Sequence, residues 1–507
     1  MPKQMNVFAA AATLVVVFYL AAASLIPLPV LDALYLPDDT YYTLSIARNI
    51  AAGNGPSTDG IIQTTGFQPL IALLMQPVFW LGMDGDAALR AVVVLSASFG
   101  AAAVITAAAI VRQATQSIWA AVWTLVLAGV SPMIFLNAMN GLETTLAGLL
   151  GLLLIWGGAN TTAASSNRWL VCLGVLAGIA LWARIDTALV ILVLVPVALW
   201  RLGLWRTFLV AGVAALTVAP WVAYCVIAGG EFIPESGGAV RQIVAYMFER
   251  RSMTYWSTFY MALIPAPGAL FPLFGENLSA ALSLLLIVPP LLAMRKGRVD
   301  VPAILSVAAL VLIVFYGFGL PAFWFYHRYL FLAEIAFVVA VVIGLRALTQ
   351  RWEASTIRQM TNVLLIAVML GQALTYLPAI NVIAGNSEGF NSGHAYGKAA
   401  AELLPSVPDG SVLTAMQSGA LNWFAPDGVR VVNLDGVVNG SAKDAIHNQN
   451  LDQYMQSIGA THFADWASMA DWMQLVSTAP VPLTKIAASI DHAAPGFDFT
   501  LYRIDWP

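Results

Sequence analysis

The chain has little charge and little cysteine. Only 10% of its 507 residues are charged and its net charge is −4, whereas soluble domains carry about 25% charged residues. This composition argues against a soluble domain and against a nucleic-acid partner. The two cysteines, Cys172 and Cys225, both lie in apolar runs. That placement favours neither a metal site nor a redox pair, and it leaves a disulfide between them open.

The chain also shows no heptad repeat, no low-complexity segment and no visible internal repeat. What it has in abundance is apolar sequence, with 60% hydrophobic residues and a mean hydropathy of +0.79. Long apolar runs recur along the chain, which is the signature of a polytopic helical membrane protein. We predict eleven spans, at 6–28, 88–111, 118–136, 144–158, 169–183, 187–200, 207–228, 278–294, 301–320, 330–345 and 360–380.

The first apolar run and two apolar segments interrupted by proline differ from the other runs. Residues 5–28 resemble a signal peptide, but cleavage would leave the loop after them unanchored, so we expect an uncleaved first span. Segments 68–82 and 255–275 are short and interrupted by proline, and we expect them to form helices along the membrane surface.

The distribution of basic residues predicts the orientation of the chain. Lys and Arg occupy nearly every short loop on the side of the N-terminus, such as Arg112, Arg168 and Arg206. Because cytoplasmic loops are enriched in these residues, we expect a cytoplasmic N-terminus. An odd number of spans then places everything after about residue 381 on the outer face.

The segment from Pro37 to Leu70 is the most polar stretch of the first two hundred residues. It begins with the adjacent carboxylates Asp38 and Asp39, and polar residues then recur at helical spacing, which predicts a short helix. Glycine turns and a TTGFQP segment follow. An ordinary solvated loop is the simpler interpretation of these residues taken alone.

The predicted topology places five polar clusters on the outer face. Besides the aspartate pair, they are Asn140–Thr144, Arg184 with Asp186, the loop GGEFIPESGG at 229–238, and the FWFYHRYL segment at 323–330. Ionisable groups at membrane depth cost about 2.5–3.5 kcal/mol each on insertion scales, so they usually pair and line a cavity. We therefore expect these clusters to meet in one cavity.

The segment DDTYYTLSIARNIAAGNG…TDG…TTGFQPL resembles the first extracytoplasmic loop of GT-C glycosyltransferases, which are integral-membrane enzymes that use polyprenyl-phosphate sugars. NGLET, ARIDTAL, PESGG, HRY and NLDGVVN resemble motifs of one bacterial branch of that superfamily. Relatives of this type include protein mannosyltransferases, the aminoarabinose transferase of lipid A and mycobacterial arabinofuranosyltransferases. The sequence departs from many relatives at Gln68, where a histidine would be expected.

The resemblance implies that one of the two aspartates, Asp38 or Asp39, is the catalytic base, and it does not say which. Such a reaction needs a general base for the acceptor hydroxyl and groups that stabilise the departing phosphate. Glu143 is the candidate for positioning the acceptor or the sugar, with Asn140 and Gln68 beside it. A carboxylate favoured by the dipole at a helix N-terminus is an almost equally good interpretation of Glu143.

Arg328 is the candidate for the donor phosphate, together with His327 and Tyr329, because a guanidinium grips phosphate oxygens with two hydrogen bonds. The alternative for Arg328 is an anchor at the end of a span. Arg184 and Asp186 are more simply explained as a structural pair. One histidine is too little to predict a metal site, so we predict none, and whether a divalent metal assists stays open.

The remaining candidates have simple alternatives as well. Glu231 and Glu235 belong either to a mobile flap or to a plain connector. Tyr41 and Tyr42 either stack on a sugar ring or lie at the membrane interface as tyrosines commonly do. Asp435 and Asn439, in NLDGVVN, either face the cavity and help to bind the acceptor or form a turn after a strand, and the turn is the better-supported interpretation.

The sequence pattern changes at about residue 386, from long apolar runs to alternating short strands and helices. We therefore predict a membrane domain at 1–385 and a second domain at 386–507. Predicted strands at 411–416, 429–434 and 497–504 alternate with helices at 395–404, 451–458 and 468–476, so we expect a small α/β domain. It has no glycine loop with the spacing that cradles phosphates.

Together these features predict a GT-C fold with about eleven transmembrane helices and a small extracytoplasmic α/β domain. The expected function is inverting transfer of a hexosyl or pentosyl group from a polyprenyl-phosphate donor to an acceptor hydroxyl, at the outer face of a bacterial cytoplasmic membrane. The expected partners are the bilayer, the lipid-linked sugar and a saccharide, lipid or protein acceptor. The alternative is a transporter or flippase of a lipid-linked saccharide, which should show polar breaks near the middle of its spans. A membrane scaffold that presents the tail domain would leave the polar first loop unexplained.

Overall fold

The computed structural model describes residues 2–297, 299–351, 355–383, 395–489 and 498–507. Helices form the membrane part, and a mixed sheet with helices forms the C-terminal part. The helices before the sheet are α1 Pro2–Leu25, α2 Leu28–Leu34, α3 Asp38–Ala51, α4 Pro69–Trp80, α5 Gly85–Thr115, α6 Ile118–Gly129, α7 Pro132–Met139, α8 Thr144–Asn160, α9 Asn167–Ala183, α10 Thr187–Leu202, α11 Leu204–Gly229, α12 Glu235–Arg251, α13 Tyr255–Ala262, α14 Pro265–Gly268, α15 Glu276–Leu282, α16 Val288–Arg295, α17 Val301–Val314, α18 Tyr326–Tyr329, α19 Phe331–Arg351, α20 Ser355–Leu374 and α21 Leu377–Ile383.

Six helical segments in the described residues are long and apolar enough to cross a membrane. The pair α6 and α7, bent by 61°, makes a seventh if it counts as one span, and five further apolar helices are shorter. A polytopic helical membrane protein is therefore confirmed, whereas the number eleven stays a prediction. The predicted domain boundary at 385/386 lies outside the described residues. Cys172 and Cys225 are both free thiols.

Helix α5 is the longest in the described residues, and small residues let its neighbours approach closely. It packs against α1, α6, α7, α8 and α19. A Cβ atom added at Gly100 of α5 would lie 2.7 Å from the Cβ of Ala138, and one added at Gly148 of α8 would lie 2.4 Å from the Phe331 ring. Close backbone contact at small residues is how membrane helices gain packing energy, since lipid supplies no hydrophobic drive between them.

The first polar loop contains the predicted short helix, which is confirmed as α3. Pro37 is the N-cap residue of α3. Because proline disfavours a helical conformation in the residue that precedes it, here Leu36, the helix begins after the proline, at Asp38. After α3 the chain turns through glycines with positive φ, including Gly53 and Gly60, where residues with a Cβ would be strained. The predicted surface segment at 68–82 contains α4, which begins at a proline.

The C-terminal part is the predicted small α/β domain. Its helices are α22 Tyr396–Leu403, α23 Gly419–Phe424, α24 Gly440–His447, α25 Leu451–Ser457 and α26 Ala467–Leu475, and its strands are β1 Val412–Ala415, β2 Arg430–Asn433, β3 His462–Trp466, β4 Leu483–Ser489 and β5 Phe499–Ile504. The sheet order is β2-β1-β3-β5-β4, with the first three strands parallel and β4 and β5 antiparallel to their neighbours.

The predicted strands are confirmed as β1, β2 and β5, and the predicted helices as α22, α25 and α26. Strands β3 and β4 were not predicted. Strand β3 is almost entirely buried and pairs on both sides, so its sequence HFADW shows no polar–apolar alternation that would mark a half-exposed strand.

Candidate functional site

A cavity of about 590 Å³ lies where the ends of membrane helices meet the first loop and the C-terminal domain. All five polar clusters singled out in the sequence contribute to its wall. Those residues are Asp38, Asp39, Asn140, Glu143, Arg184, Asp186, Ile233, Pro234, Ser236, Gly237, Phe323, Trp324, Phe325, His327, Arg328 and Tyr329. The fold thus brings together segments up to 289 residues apart in the sequence.

Charged side chains of alternating sign run along one wall of the cavity. Arg328 donates to the carboxylate of Asp39 through Nη1, and its Nη2 lies 3.5 Å from Oε1 of Glu143. The same Glu143 oxygen accepts from Nη1 of Arg184 at 2.9 Å.

Arg184 continues the series, because its Nη2 lies 2.9 Å from Oδ2 of Asp186. Tyr316 donates its hydroxyl proton to the same Asp186 oxygen. We call these six residues the charge network: Asp39, Arg328, Glu143, Arg184, Asp186 and Tyr316. It contains three carboxylates, two guanidiniums and the neutral Tyr316 hydroxyl, so its net charge is −1 when the carboxylates and guanidiniums are all ionised.

Helix junctions supply the inner part of this network. Glu143 is the N-cap residue of α8, and Arg184 and Asp186 occupy the reversal between α9 and α10. The turn before Glu143 depends on Gly141, whose φ is +68°, and a Cβ there would lie 2.7 Å from Cγ2 of Thr40. Glu143 is only 1% exposed, so its charge requires the guanidinium beside it.

Arg328 sits between two carboxylates and over an aromatic ring. Its Cζ atom lies 5.2 Å from the centre of the Phe325 ring, a cation–π contact. Burial lowers the pKa of Arg328, but the negative charges of Asp39 and Glu143 raise it by more than burial lowers it. The pKa of Arg328 therefore lies above its ordinary value. Its buried Nε–H has no hydrogen-bond partner among the described residues, which leaves a donor for an incoming acceptor group.

The two adjacent aspartates have different surroundings. Asp38 accepts hydrogen bonds from the backbone N–H groups of Gly419 at 2.7 Å and Ala420 at 2.9 Å, at the start of α23. Asp39 instead faces Arg328. Burial raises the pKa of Asp38 to about 8, against the two backbone hydrogen bonds, which lower it. Of the pair, only Asp39 joins the charge network.

The two neighbouring tyrosines also separate. Tyr42 lines the cavity, and its hydroxyl interacts with the Asp39 carboxylate. Tyr41 is fully buried and does not line the cavity, because its hydroxyl donates to Oδ1 of Asp32 at 2.5 Å. Gln68 lines the cavity. Asn140 lines it as well, while its Oδ1 accepts the backbone N–H of Leu142 at 2.9 Å and so stabilises the turn before α8.

The glutamates of the GGEFIPESGG loop both make long-range contacts. Glu235 accepts from the Thr64 hydroxyl at 3.0 Å and from the Thr65 backbone N–H at 3.3 Å. Burial raises its pKa, and the Thr64 and Thr65 hydrogen bonds lower it in part. Glu231 pairs with Nζ of Lys443 at 2.9 Å. This loop therefore connects α12 to the first loop on one side and to the C-terminal domain on the other.

In the NLDGVVN segment, one of the two candidates lines the cavity. Asp435 is part of the wall, and its Oδ1 accepts the backbone N–H of Val437 at 2.8 Å, as in a turn. Asn439 is not part of the wall. It caps α24 by accepting the N–H of Ala442 at 3.2 Å, and it donates to the Tyr454 hydroxyl at 2.8 Å.

The sequence reasoning missed several polar residues near the cavity, among them Tyr316, Asn137 and Glu334. Glu334 is fully buried at the start of α19, with its Oε1 3.5 Å from Nδ1 of His327 and its Oε2 accepting from Asn137 at 3.3 Å. A carboxylate inside an apolar span is the signal that could have found Glu334. Tyr316 lies in a π-helical segment, Phe315–Gly319, and π-helical turns often occur at functional sites.

Metal ligands do not cluster in the described part of the chain: no group of three or more His, Cys, Asp or Glu side chains there could hold a metal ion. The cavity instead offers carboxylates, guanidiniums and aromatic rings. Such a wall can accept a proton, bind an anion and contact an apolar chain.

Two crystal structures of ArnT from Cupriavidus metallidurans have a similar fold. The structure bound to undecaprenyl phosphate matches with a TM-score of 0.55 and 16% identity, covering 99% of this chain and 98% of that one. The apo structure matches with a TM-score of 0.54 and 15% identity over the same shares. No protein-family model matches the sequence, and no curated protein does. At this level of identity the likeness confirms the expected GT-C fold.

Proposed function

We propose that this protein is a GT-C glycosyltransferase that moves a sugar from a polyprenyl-phosphate donor to an acceptor hydroxyl, with Asp39 as the base. The observation that carries the proposal is the Asp39–Arg328 pair on the wall of a cavity of about 590 Å³. It occurs in a chain that shares its fold with ArnT, which has been crystallised with undecaprenyl phosphate.

The proposed reaction is a single displacement at the anomeric carbon. Asp39 takes the proton of the acceptor hydroxyl, and the acceptor oxygen forms the new bond to that carbon. The bond from carbon to phosphate oxygen breaks with its electron pair, which leaves polyprenyl phosphate with one more negative charge. One displacement from the face opposite the phosphate inverts the configuration.

Arg328 and Arg184 are the groups that would stabilise the departing phosphate. Preorganised cations in a site that excludes water act where charge develops, and removing one such group typically costs about 10²–10³ in kcat. Arg328 is already held between two carboxylates and has an unused N–H donor. Glu143 would orient sugar or acceptor hydroxyls, and Tyr42 and Tyr329 would contact the sugar.

The proposed reaction takes place at the surface of the membrane. The donor's chain stays in the bilayer while the acceptor arrives at the cavity from the outer face of a bacterial cytoplasmic membrane. The N-terminus is then cytoplasmic and the C-terminal domain extracytoplasmic, as the distribution of basic residues predicts. The sugar is a hexose or a pentose, and the acceptor is a saccharide, a lipid or a protein.

The test is transfer by the purified protein in lipid nanodiscs, given a panel of polyprenyl-phosphate hexoses and pentoses together with saccharide, lipid and peptide acceptors that carry hydroxyl groups. We expect time-dependent formation of free polyprenyl phosphate with one of them, and loss of that signal in Asp39→Asn. A transporter or flippase would instead move the intact lipid-linked sugar across proteoliposomes without releasing polyprenyl phosphate, and that result would contradict the proposal.

A further inference from the structure

The C-terminal domain is attached to the membrane part through carboxylates of the segment that carries Asp39. Asp32 accepts the backbone N–H groups of Gly397 at 2.9 Å and Lys398 at 3.0 Å. Asp38 accepts those of Gly419 and Ala420, as described above. These bonds connect residues more than 360 positions apart in the sequence.

Two glycines bring the backbones of the two parts into direct contact. A Cβ atom at Gly419 would lie 2.2 Å from the carbonyl oxygen of Asp38. One at Gly66, in the first loop, would lie 1.6 Å from the carbonyl oxygen of Val437. Neither position has room for any side chain, so the surfaces fit each other as closely as the interior of one domain.

Asp38 and Asp39 are consecutive residues in the first turn of α3, so their side chains leave the helix about 100° apart. One reaches the C-terminal domain and the other reaches Arg328. Any shift of this turn moves both side chains together. The contact with α23 therefore fixes the direction of Asp39, because the backbone that carries it is held at the preceding residue.

The two hydrogen bonds from the backbone of α23 to Asp38 exist only while the C-terminal domain is docked against α3. Asp38 is 4% exposed, and its carboxylate accepts hydrogen bonds from the N–H groups of Gly419 and Ala420. A buried carboxylate that loses its hydrogen-bond donors bears the full cost of desolvation. Asp38 therefore links the position of the C-terminal domain to the position of the first turn of α3.

We propose that Asp38 is a positioning residue through which the C-terminal domain sets the orientation of Asp39 in the cavity. This inference rests on the proposed function for its kinetic consequence, but the coupling between the domain and α3 can be measured without activity. The C-terminal domain then contributes to catalysis, because it holds Asp39 in its orientation.

The experiment compares the full-length wild type with Gly419→Ala and Asp38→Asn, and with Asp59→Asn as the matched control. Asp59 also contacts the C-terminal domain, since Arg430 donates to it at 2.9 Å, but it lies beyond the end of α3. Two quantities are measured: kcat and donor KM for the formation of free polyprenyl phosphate during transfer, and hydrogen–deuterium exchange of peptides that cover Asp38–Ile46.

We expect Gly419→Ala and Asp38→Asn to lower kcat by about 10- to 100-fold, since a displacement of about 1 Å can cost 10²-fold. Donor KM should stay within about twofold, because the lost interaction acts on the chemical step. Exchange in the α3 peptides should accelerate in both variants. Asp59→Asn should resemble the wild type in both measurements.

Unchanged kcat together with faster exchange would overturn the positioning role, and so would equal losses in Gly419→Ala and Asp59→Asn. Unchanged exchange in Gly419→Ala would also overturn it. If the wild type itself releases no sugar from any donor, the proposed function fails, whereas the exchange data still decide whether the domain holds α3.

Discussion

Asp39 and Arg328 form an ion pair between residues 289 positions apart, at the point where the first loop meets α18. The pair is mostly buried, with side-chain exposures of 17% and 15%. It joins the proposed base to the proposed phosphate ligand. Substitution of Asp39 should therefore affect kcat, whereas substitution of Arg328 should affect both donor KM and kcat.

Replacing Asp39 with Asn removes the proton acceptor and keeps the size of the side chain. We expect kcat to fall by at least about 10²-fold, because general base catalysis contributes about 10²–10⁴. The elution volume of Asp39→Asn should stay close to that of the wild type, which checks that the variant still folds. A variant that keeps full activity would show that Asp39 is not the base.

Replacing Arg328 with Lys keeps the positive charge and removes the planar guanidinium. A lysine cannot form two parallel hydrogen bonds to phosphate, so we expect donor KM to rise and kcat to fall by about 10-fold or more. The measurement is a donor titration at saturating acceptor. Arg241→Lys, on the exposed side of α12, is the control, and equal effects of the two substitutions would contradict the assignment.

Replacing Tyr316 with Phe deletes only the hydroxyl that donates to Asp186. The remaining carboxylate keeps Arg184 as its partner, so we expect a loss of about 1–3 kcal/mol in the free energy of unfolding. The check is the unfolding midpoint in a lipid-like detergent. Tyr260→Phe, which removes an exposed hydrogen bond to Asn277, should have a much smaller effect.

Replacing Gly66 with alanine should weaken the contact between the first loop and the C-terminal domain. The new Cβ would overlap the carbonyl oxygen of Val437 at 1.6 Å, and overpacking typically costs about 1–3 kcal/mol. We expect Gly66→Ala to become more sensitive to limited proteolysis. Gly212→Ala, in α11 and facing open space, should unfold no earlier than the wild type, because alanine favours a helix over glycine.

The C-terminal domain should be more stable at mildly acidic pH than at alkaline pH. Burial raises the pKa of Asp435 to about 7, and burial likewise raises the pKa of Asp465 to about 7. An unfolded aspartate titrates near about 4, so the folded chain binds these protons more tightly, and their stabilisation is lost as the pH rises from about 4 to about 7. We expect Tm to fall between pH 5 and pH 8, and to fall less in Asp435→Asn.

Periodicity and turn residues predicted the elements that form locally. Helix α3 follows a proline and has polar residues at helical spacing, and strands β1, β2 and β5 stand out against polar flanks. Topology also predicted that Asn140, Arg184 and Arg328 would come near the aspartates, since charges inside a membrane protein gather where they can pair.

The directions of individual side chains could not be predicted. Nothing local distinguishes Asp38 from Asp39, because what separates them is the backbone of Gly419, 381 residues away. Tyr41 and Tyr42 differ for a similar reason, since Asp32 binds the hydroxyl of the first. Glu334 was overlooked because a single carboxylate in an apolar run carries no motif, although its burial and its contact with His327 mark it in the structure.

The uneven number of acids and guanidiniums in the charge network has a consequence for ligand uptake. A phosphate entering beside Arg328 adds negative charge to a network in which three carboxylates already outnumber two guanidiniums. In a medium of low polarity such an excess is costly. Formation of the loaded complex should therefore draw a proton or another cation from solution, and the slope of donor affinity against pH would count how many protons are taken up.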